Sequence, residues 1–163
     1  MHLQTSLPLA SADVIIDEAL RLGRVEKLLP LTVVVLDAGA KLVAAKSEDG
    51  SGVLRYDIAF GKAWGALGMG ISSRLIRDRL SARPTFQAAL ATASDGRFIP
   101  VPGGVLIRDA DKVTIGAVGI SGDTSDKDEY CAIEAIKVAG LFSEPAEPSD
   151  NWRSSSLSDH YPS

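Results

Sequence analysis

The chain has 163 residues, 45% of them apolar, and a formal net charge of −4. That length suits one domain with a sizeable core, and the charge excludes a non-specific nucleic-acid binder, which needs a basic face. The single cysteine, Cys131, rules out an internal disulfide and suits a reducing, cytoplasmic setting.

Residues 1–10 form an N-terminal extension without the basic and apolar regions of a signal peptide. No apolar run in the chain reaches the length of a membrane span. Ser11 is placed to cap a helix from Ala12 to Leu29, where Ile15, Ala19, Leu22, Val25 and Leu29 recur at three-to-four spacing. Pro30 ends it. Leu31–Leu36 is continuous and β-branched, the pattern of a strand buried on both faces. Asp37–Lys41 turns the chain into a second strand, Leu42–Lys46, giving a hairpin.

A helix is predicted over Val53–Met69 despite Gly61, Gly65 and Gly68. Each interior glycine costs about 1 kcal/mol relative to alanine. Gly61 and Gly65, at i and i+4, therefore predict a face pressed against another backbone. Ser72 or Ser73 caps a short helix to Leu80, and Pro84 opens another that continues through Thr85–Ala93. Val101-Pro102-Gly103-Gly104 leads into strand Val105–Arg108, a turn at Asp109–Lys112, and strand Val113–Ser121, a second hairpin. The last helix spans Asp126–Leu141, with Ser125 and Asp128 spaced as a capping box. Residues 143–163 hold three prolines and seven serines and read as a Ser/Pro-rich tail, with Trp152 and Tyr161 as its large apolar residues. The main domain is thus 11–142. The order helix, hairpin, helices, hairpin, helix predicts an α+β fold with an antiparallel sheet of four to five strands.

Few residues point to chemistry. Gly116, Gly119 and Gly122 have the wrong spacing for a phosphate loop, and the acidic start of the last helix would repel a phosphate. His2 and His160 are the only histidines and lie in the terminal segments, so neither a metal site nor a serine triad is expected. Cys131 reads as a small buried hydrophobe. Gly103 and Gly104 can present consecutive N–H groups as an anion nest, or simply make a tight turn. Tyr56, Asp57 and Lys62 open the glycine-rich helix. Asp57 and Lys62 are five apart and do not stack on one face.

The stretches LTVVVLDAGAKLVAAKSEDG (31–50), DIAFGKAWGAL (57–67), PVPGGVLI (100–107) and IGAVGISGDTSDKDEYCAIEAI (115–136) together resemble the GlcG/HbpS-like family of haem-degrading-domain proteins. The resemblance implies a profilin-like sandwich with helices on both faces of the sheet. It also implies a homo-oligomer, from dimer to octamer, and a link to small-molecule catabolism. Some members of that family bind haem through a histidine of the N-terminal helix, which this helix lacks. Tyr56, Met69, Thr85 and Tyr130 are then the other donors able to approach an iron. No cofactor is required by the sequence, and haem is the candidate one.

Two functions follow as expectations. The first is a cytoplasmic protein holding a metabolite or haem between the Pro-Gly-Gly loop and the glycine-rich helix, with Tyr56, Lys62, Pro102, Gly103 and Gly104 as ligand-binding residues. The alternative is a cofactor-independent isomerase, lyase or hydrolase acting on an oxo-acid or ring. There Lys62 would be the electrostatic or acid–base group, Asp57 or Glu129 the carboxylate base, and the Gly103 and Gly104 amides the oxyanion donors. Neither nucleic acid nor membrane is an expected partner.

Overall fold

The two hairpins are built alike. In a computed structural model that describes residues 1–157, Thr32–Asp37 (β1) pairs antiparallel with Leu42–Ser47 (β2), and Gly104–Arg108 (β3) pairs antiparallel with Thr114–Ser121 (β4). Each loop is organised by its first aspartate. The Asp37 carboxylate accepts from the N–H groups of Gly39 and Lys41, and that of Asp109 from those of Asp111 and Val113. Side-chain bonds of this kind let aspartate direct a turn. Each loop also carries one left-handed residue, Ala40 at φ 61° and Lys112 at φ 65°.

β1 and β4 then pair antiparallel at the centre, and Phe142–Glu144 (β5) joins the outer edge of β3, giving the order β2-β1-β4-β3-β5. The expected four to five strands are five. Residues 143 and 144, read from sequence as part of the tail, belong to the sheet through β5. His160 and Tyr161 lie outside the described residues. Trp152, in a 3-10 turn over Trp152–Ser154, stacks on Tyr130 with ring centroids 3.7 Å apart.

Helices cover both faces. Leu9–Val25 (α1) and Ser125–Val138 (α5) pack on one, with Val33, Val35, Val105, Ile107, Val118 and Ile120 pointing at them. Arg55–Met69 (α2) packs on the other, where Val34, Leu36, Leu106 and Ala117 meet Ala59, Ala63 and Ala66. The alternation along each central strand is what a sheet buried on both sides requires. Ser73–Leu80 (α3) is capped by the Ser72 hydroxyl, and Pro84 is the first residue of Pro84–Ala93 (α4).

Three helix starts differ from expectation, α2 by beginning at Arg55 and not Val53. α1 begins at Leu9 behind Pro8 and stops at Val25, because Lys27 is left-handed at φ 57° and breaks the helical path before Leu29. α5 is capped by the Thr124 hydroxyl instead of the Ser125–Asp128 pair. Asp128 is drawn inward to a different partner.

Candidate functional site

Four glycine-dependent contacts hold α2, two against the sheet and two against the segment 97–99. Gly104 and Gly119 face each other across β3 and β4, and both point at α2. A Cβ on Gly119 would run into the Ala59 carbonyl, and one on Gly104 into the Lys62 carbonyl. On the opposite side of α2, a Cβ on Gly61 would strike the Arg97 carbonyl, and one on Gly65 would sit 3.0 Å from the Phe98 ring. The face predicted from the Gly61/Gly65 spacing therefore exists, and its partner is the segment 97–99.

Lys62 leaves α2 at the end of β3 and passes beside Gly103 through the plane of the sheet. Its Nζ donates to the Ile120 carbonyl at 2.8 Å and to the Asp128 carboxylate at 3.0 Å. The two side chains are 2% and 1% exposed. Asp128 also accepts from the Asp123 N–H at 3.0 Å. Burial pushes the Asp128 carboxyl up, against the pull of the Lys62 ammonium. Gly103 sits at φ 115°, and a Cβ there would come within 2.9 Å of Lys62 Nζ. This pair ties the helix on one face to the helix on the other.

Four of the five residues proposed for ligand binding thus meet, without Tyr56. Lys62, Pro102, Gly103 and Gly104 are all buried. The Gly104 N–H donates to the Ser73 hydroxyl at 2.8 Å, and the Gly103 carbonyl accepts from the Ile120 N–H. The Gly104 amide, one of the two expected anion donors, is thus used by the fold. Tyr56 lies apart on the α2 surface, with the Phe60 ring 6.2 Å away, and Asp57 is exposed.

Glu129 is placed differently. It is fully buried in the first turns of α5, and neither carboxylate oxygen has a hydrogen-bond partner among the described residues. Arg74 of α3 approaches to 3.4 Å and also donates to the Glu147 carbonyl at 2.8 Å. Burial raises the Glu129 carboxyl to about 7, with Asp126 and Glu144 adding to the rise and Arg74 and Arg77 opposing it. Cys131, one residue pair further along α5, is also buried, and its thiol is pushed well above the ordinary range by burial. It is not a nucleophile at neutral pH.

An open apolar groove lies between α2 and α4. It is lined by Trp64, Gly65, Gly68, Met69, Leu90 and Phe98 and holds about 150 Å³. The Arg97 guanidinium stands over the Trp64 ring, 4.5 Å from its centroid. Of the four donors considered for an iron, Met69 alone lines this groove. Tyr56 lies elsewhere on α2, Tyr130 is stacked under Trp152, and Thr85 is exposed at the start of α4. Sequence reasoning missed Trp64, Arg97 and Phe98. The available signal was Trp64 set between Gly61 and Gly65, a large ring beside bare helix turns.

Comparison with known proteins agrees with this architecture. The chain belongs to the HbpS-like family, described as haem degrading protein HbpS-like, which it matches over residues 7–137. Among solved structures, it is similar to PduOC crystallised as a heme complex, at 21% identity and TM-score 0.76, over 85% of this chain and 98% of that one. It is similar to the Klebsiella pneumoniae protein ORFY at 26% identity and TM-score 0.73, over 86% and 94%. A double mutant of Streptomyces reticuli HbpS is 22% identical with TM-score 0.71, over 85% and 90%. No curated protein sequence matches the chain.

Proposed function

We propose that this HbpS-like protein binds a flat, largely apolar small molecule in the α2–α4 groove, with haem as the candidate ligand. The observation that carries the reading is the groove itself. Two bare helix positions, Gly65 and Gly68, sit beside the indole of Trp64, the Phe98 ring and the Met69 thioether. Apolar walls with a few polar groups are the usual make-up of a ligand site. Haem fits this lining in its chemistry. Trp64 and Phe98 would hold its ring, Arg97 its anionic groups, and the Met69 thioether its iron. Bound haem would supply redox-active iron at that sulfur. Among the described residues no histidine lines the groove, and His2 is in the exposed N-terminal segment.

The groove holds less than the roughly 300–1,000 Å³ of a closed ligand pocket. A second copy of the chain is the natural cover. α4 has no charged residue and no buried one, and Phe86 at its start is 38% exposed. A helix with that composition is normally covered. This supports the homo-oligomer implied by the sequence resemblance. The buried cysteine supports a reducing, cytoplasmic setting. The place in small-molecule catabolism rests on the resemblance.

Titrating the full chain with haemin tests the reading, in both ferric and ferrous forms. A saturable Soret shift is expected, and Met69→Leu should keep the apolar groove but lose the thioether contribution to the spectrum. No saturable shift, or an identical spectrum in Met69→Leu, would overturn it.

The enzyme alternative has one observation in its favour. Glu129 carries a carboxyl raised to about 7 beside a guanidinium, a suitable general acid or base. In that reading Glu129 is the base, and Glu129→Gln abolishes turnover of an oxo-acid while haemin binding persists.

A further inference from the structure

Arg108 has no anion. Its Nε is buried without a partner, and among the described residues no hydrogen bond or ion pair holds the guanidinium. The other partly buried arginines are engaged, Arg55 by the Ser121 hydroxyl and Arg74 by Glu129 and Glu147. A half-buried guanidinium without acceptors is costly unless something else supplies them.

The backbone aims Arg108 at an open cavity. The β3–β4 register shifts between Ile107 and Arg108. Such irregularities occur next to binding sites, where they redirect a side chain. The cavity beyond holds about 630 Å³ at the β5 edge of the sheet and the C-terminal end of α5. Lys112 and Lys137 also line it, with Leu141, Phe142 and Ala146 as apolar wall.

The two acidic residues on its rim are already satisfied. Glu147 pairs with Lys137 at 2.8 Å, and Glu144 accepts from the Ser72 N–H at 2.8 Å, at the start of α3. Lys112 rests on the Phe142 ring, its Nζ 3.0 Å from the centroid. Arg108 and Lys112 are therefore the lining cations that no carboxylate pairs with among the described residues, while Glu144 keeps its negative charge beside them.

We propose that this cavity is a second ligand site, separate from the α2–α4 groove, which binds a small organic carboxylate through Arg108. The planar guanidinium matches a carboxylate with two parallel hydrogen bonds. Lys112 adds a second positive charge, and Leu141, Phe142 and Ala146 receive the apolar body.

The test uses the full chain and three probes, followed by calorimetry and by amide chemical shifts. Benzoate carries both charge and ring, benzamide the ring alone, and inorganic phosphate the charge alone. Benzoate is expected to bind saturably, one per chain, with shifts at 106–112 and 140–146. Benzamide should not bind, and phosphate should bind more weakly than benzoate. Arg108→Gln should weaken benzoate by about tenfold to a hundredfold, the usual worth of charge-assisted hydrogen bonds. Arg108→Lys, which keeps the charge and loses the fork, should fall between, and guards against a folding defect in the first variant. Haemin binding should be unchanged in both. The proposal fails if benzoate does not saturate at millimolar concentration, or if Arg108→Gln binds it as well as the parent. It also fails if benzamide binds equally, which removes the charge, or if phosphate binds as tightly, which removes the apolar wall.

Discussion

The two faces of the sheet are packed by opposite means. On the α1/α5 face, volume is filled by branched side chains, with Ile15, Ile16, Ile133 and Ile136 fully buried against β-branched strand residues. Each such side chain contributes about 1.5–3 kcal/mol by leaving water. On the α2 face Val34, Leu36 and Leu106 meet alanines of the helix, and at Gly104 and Gly119 the helix backbone itself touches the sheet. The first face depends on side-chain volume and can relax by repacking. The second depends on backbone approach and cannot. That difference explains why the groove stands on α2. A helix fixed to the sheet through its backbone holds Trp64 and Met69 in place while its outer side stays open.

The buried Lys62–Asp128 pair joins the faces, and cutting it should have the largest effect. Lys62→Met leaves Asp128 buried and uncompensated, an expected loss of about 3–5 kcal/mol in urea unfolding. Adding Asp128→Asn should recover part of that loss. A cost below about 1 kcal/mol for Lys62→Met would mean that the faces are held independently.

The next effect compares the faces directly. Gly119→Ala drives a methyl into the Ala59 carbonyl, and an expected cost of about 3 kcal/mol stands at the upper end for overpacking. Ile133→Val on the other face should cost only about 0.5–1.5 kcal/mol. If the order were reversed, backbone approach would not be what limits the α2 face.

A further effect is a slope with pH. The Glu129 carboxyl is raised in the folded chain, so the native state holds a proton that the unfolded state has released. Stability from this group is present below its usual value of 4.5 and is lost as pH rises towards about 7. Asp128 is shifted in the same direction, so the parent alone is ambiguous. Measured against Glu129→Gln, the parent should lose stability across that window and run parallel above it. Parallel curves throughout would place the Glu129 carboxyl in an ordinary aqueous state.

What the sequence made legible was local. The β-branched run at 31–36, the two Asp-led turns, the Ser72 cap and Pro84 at the first helical position each carry their cause within a few residues. Gly61 and Gly65 announced a close backbone contact, though not that Arg97–Ile99 would make it. β5 was hidden because a three-residue strand among prolines and serines has no periodicity to read. The site was least legible. Lys62 and Asp128 are 66 residues apart, and nothing in the spacing shows that one neutralises the other across the sheet. Asp128 resembled a helix cap because its true partner lies on the opposite face. Arg108 resembled an ordinary strand end, since only the finished sheet shows that no acid among the described residues pairs with it.

The central claim is that haem binding belongs to the backbone-packed face. Hydrogen–deuterium exchange of the full chain with and without haemin addresses it directly. Protection concentrated in residues 64–69 and 90–98, with α1 and α5 unchanged, is the expected result. Protection on the α1/α5 face, or none on α2 at saturating haemin, would contradict it.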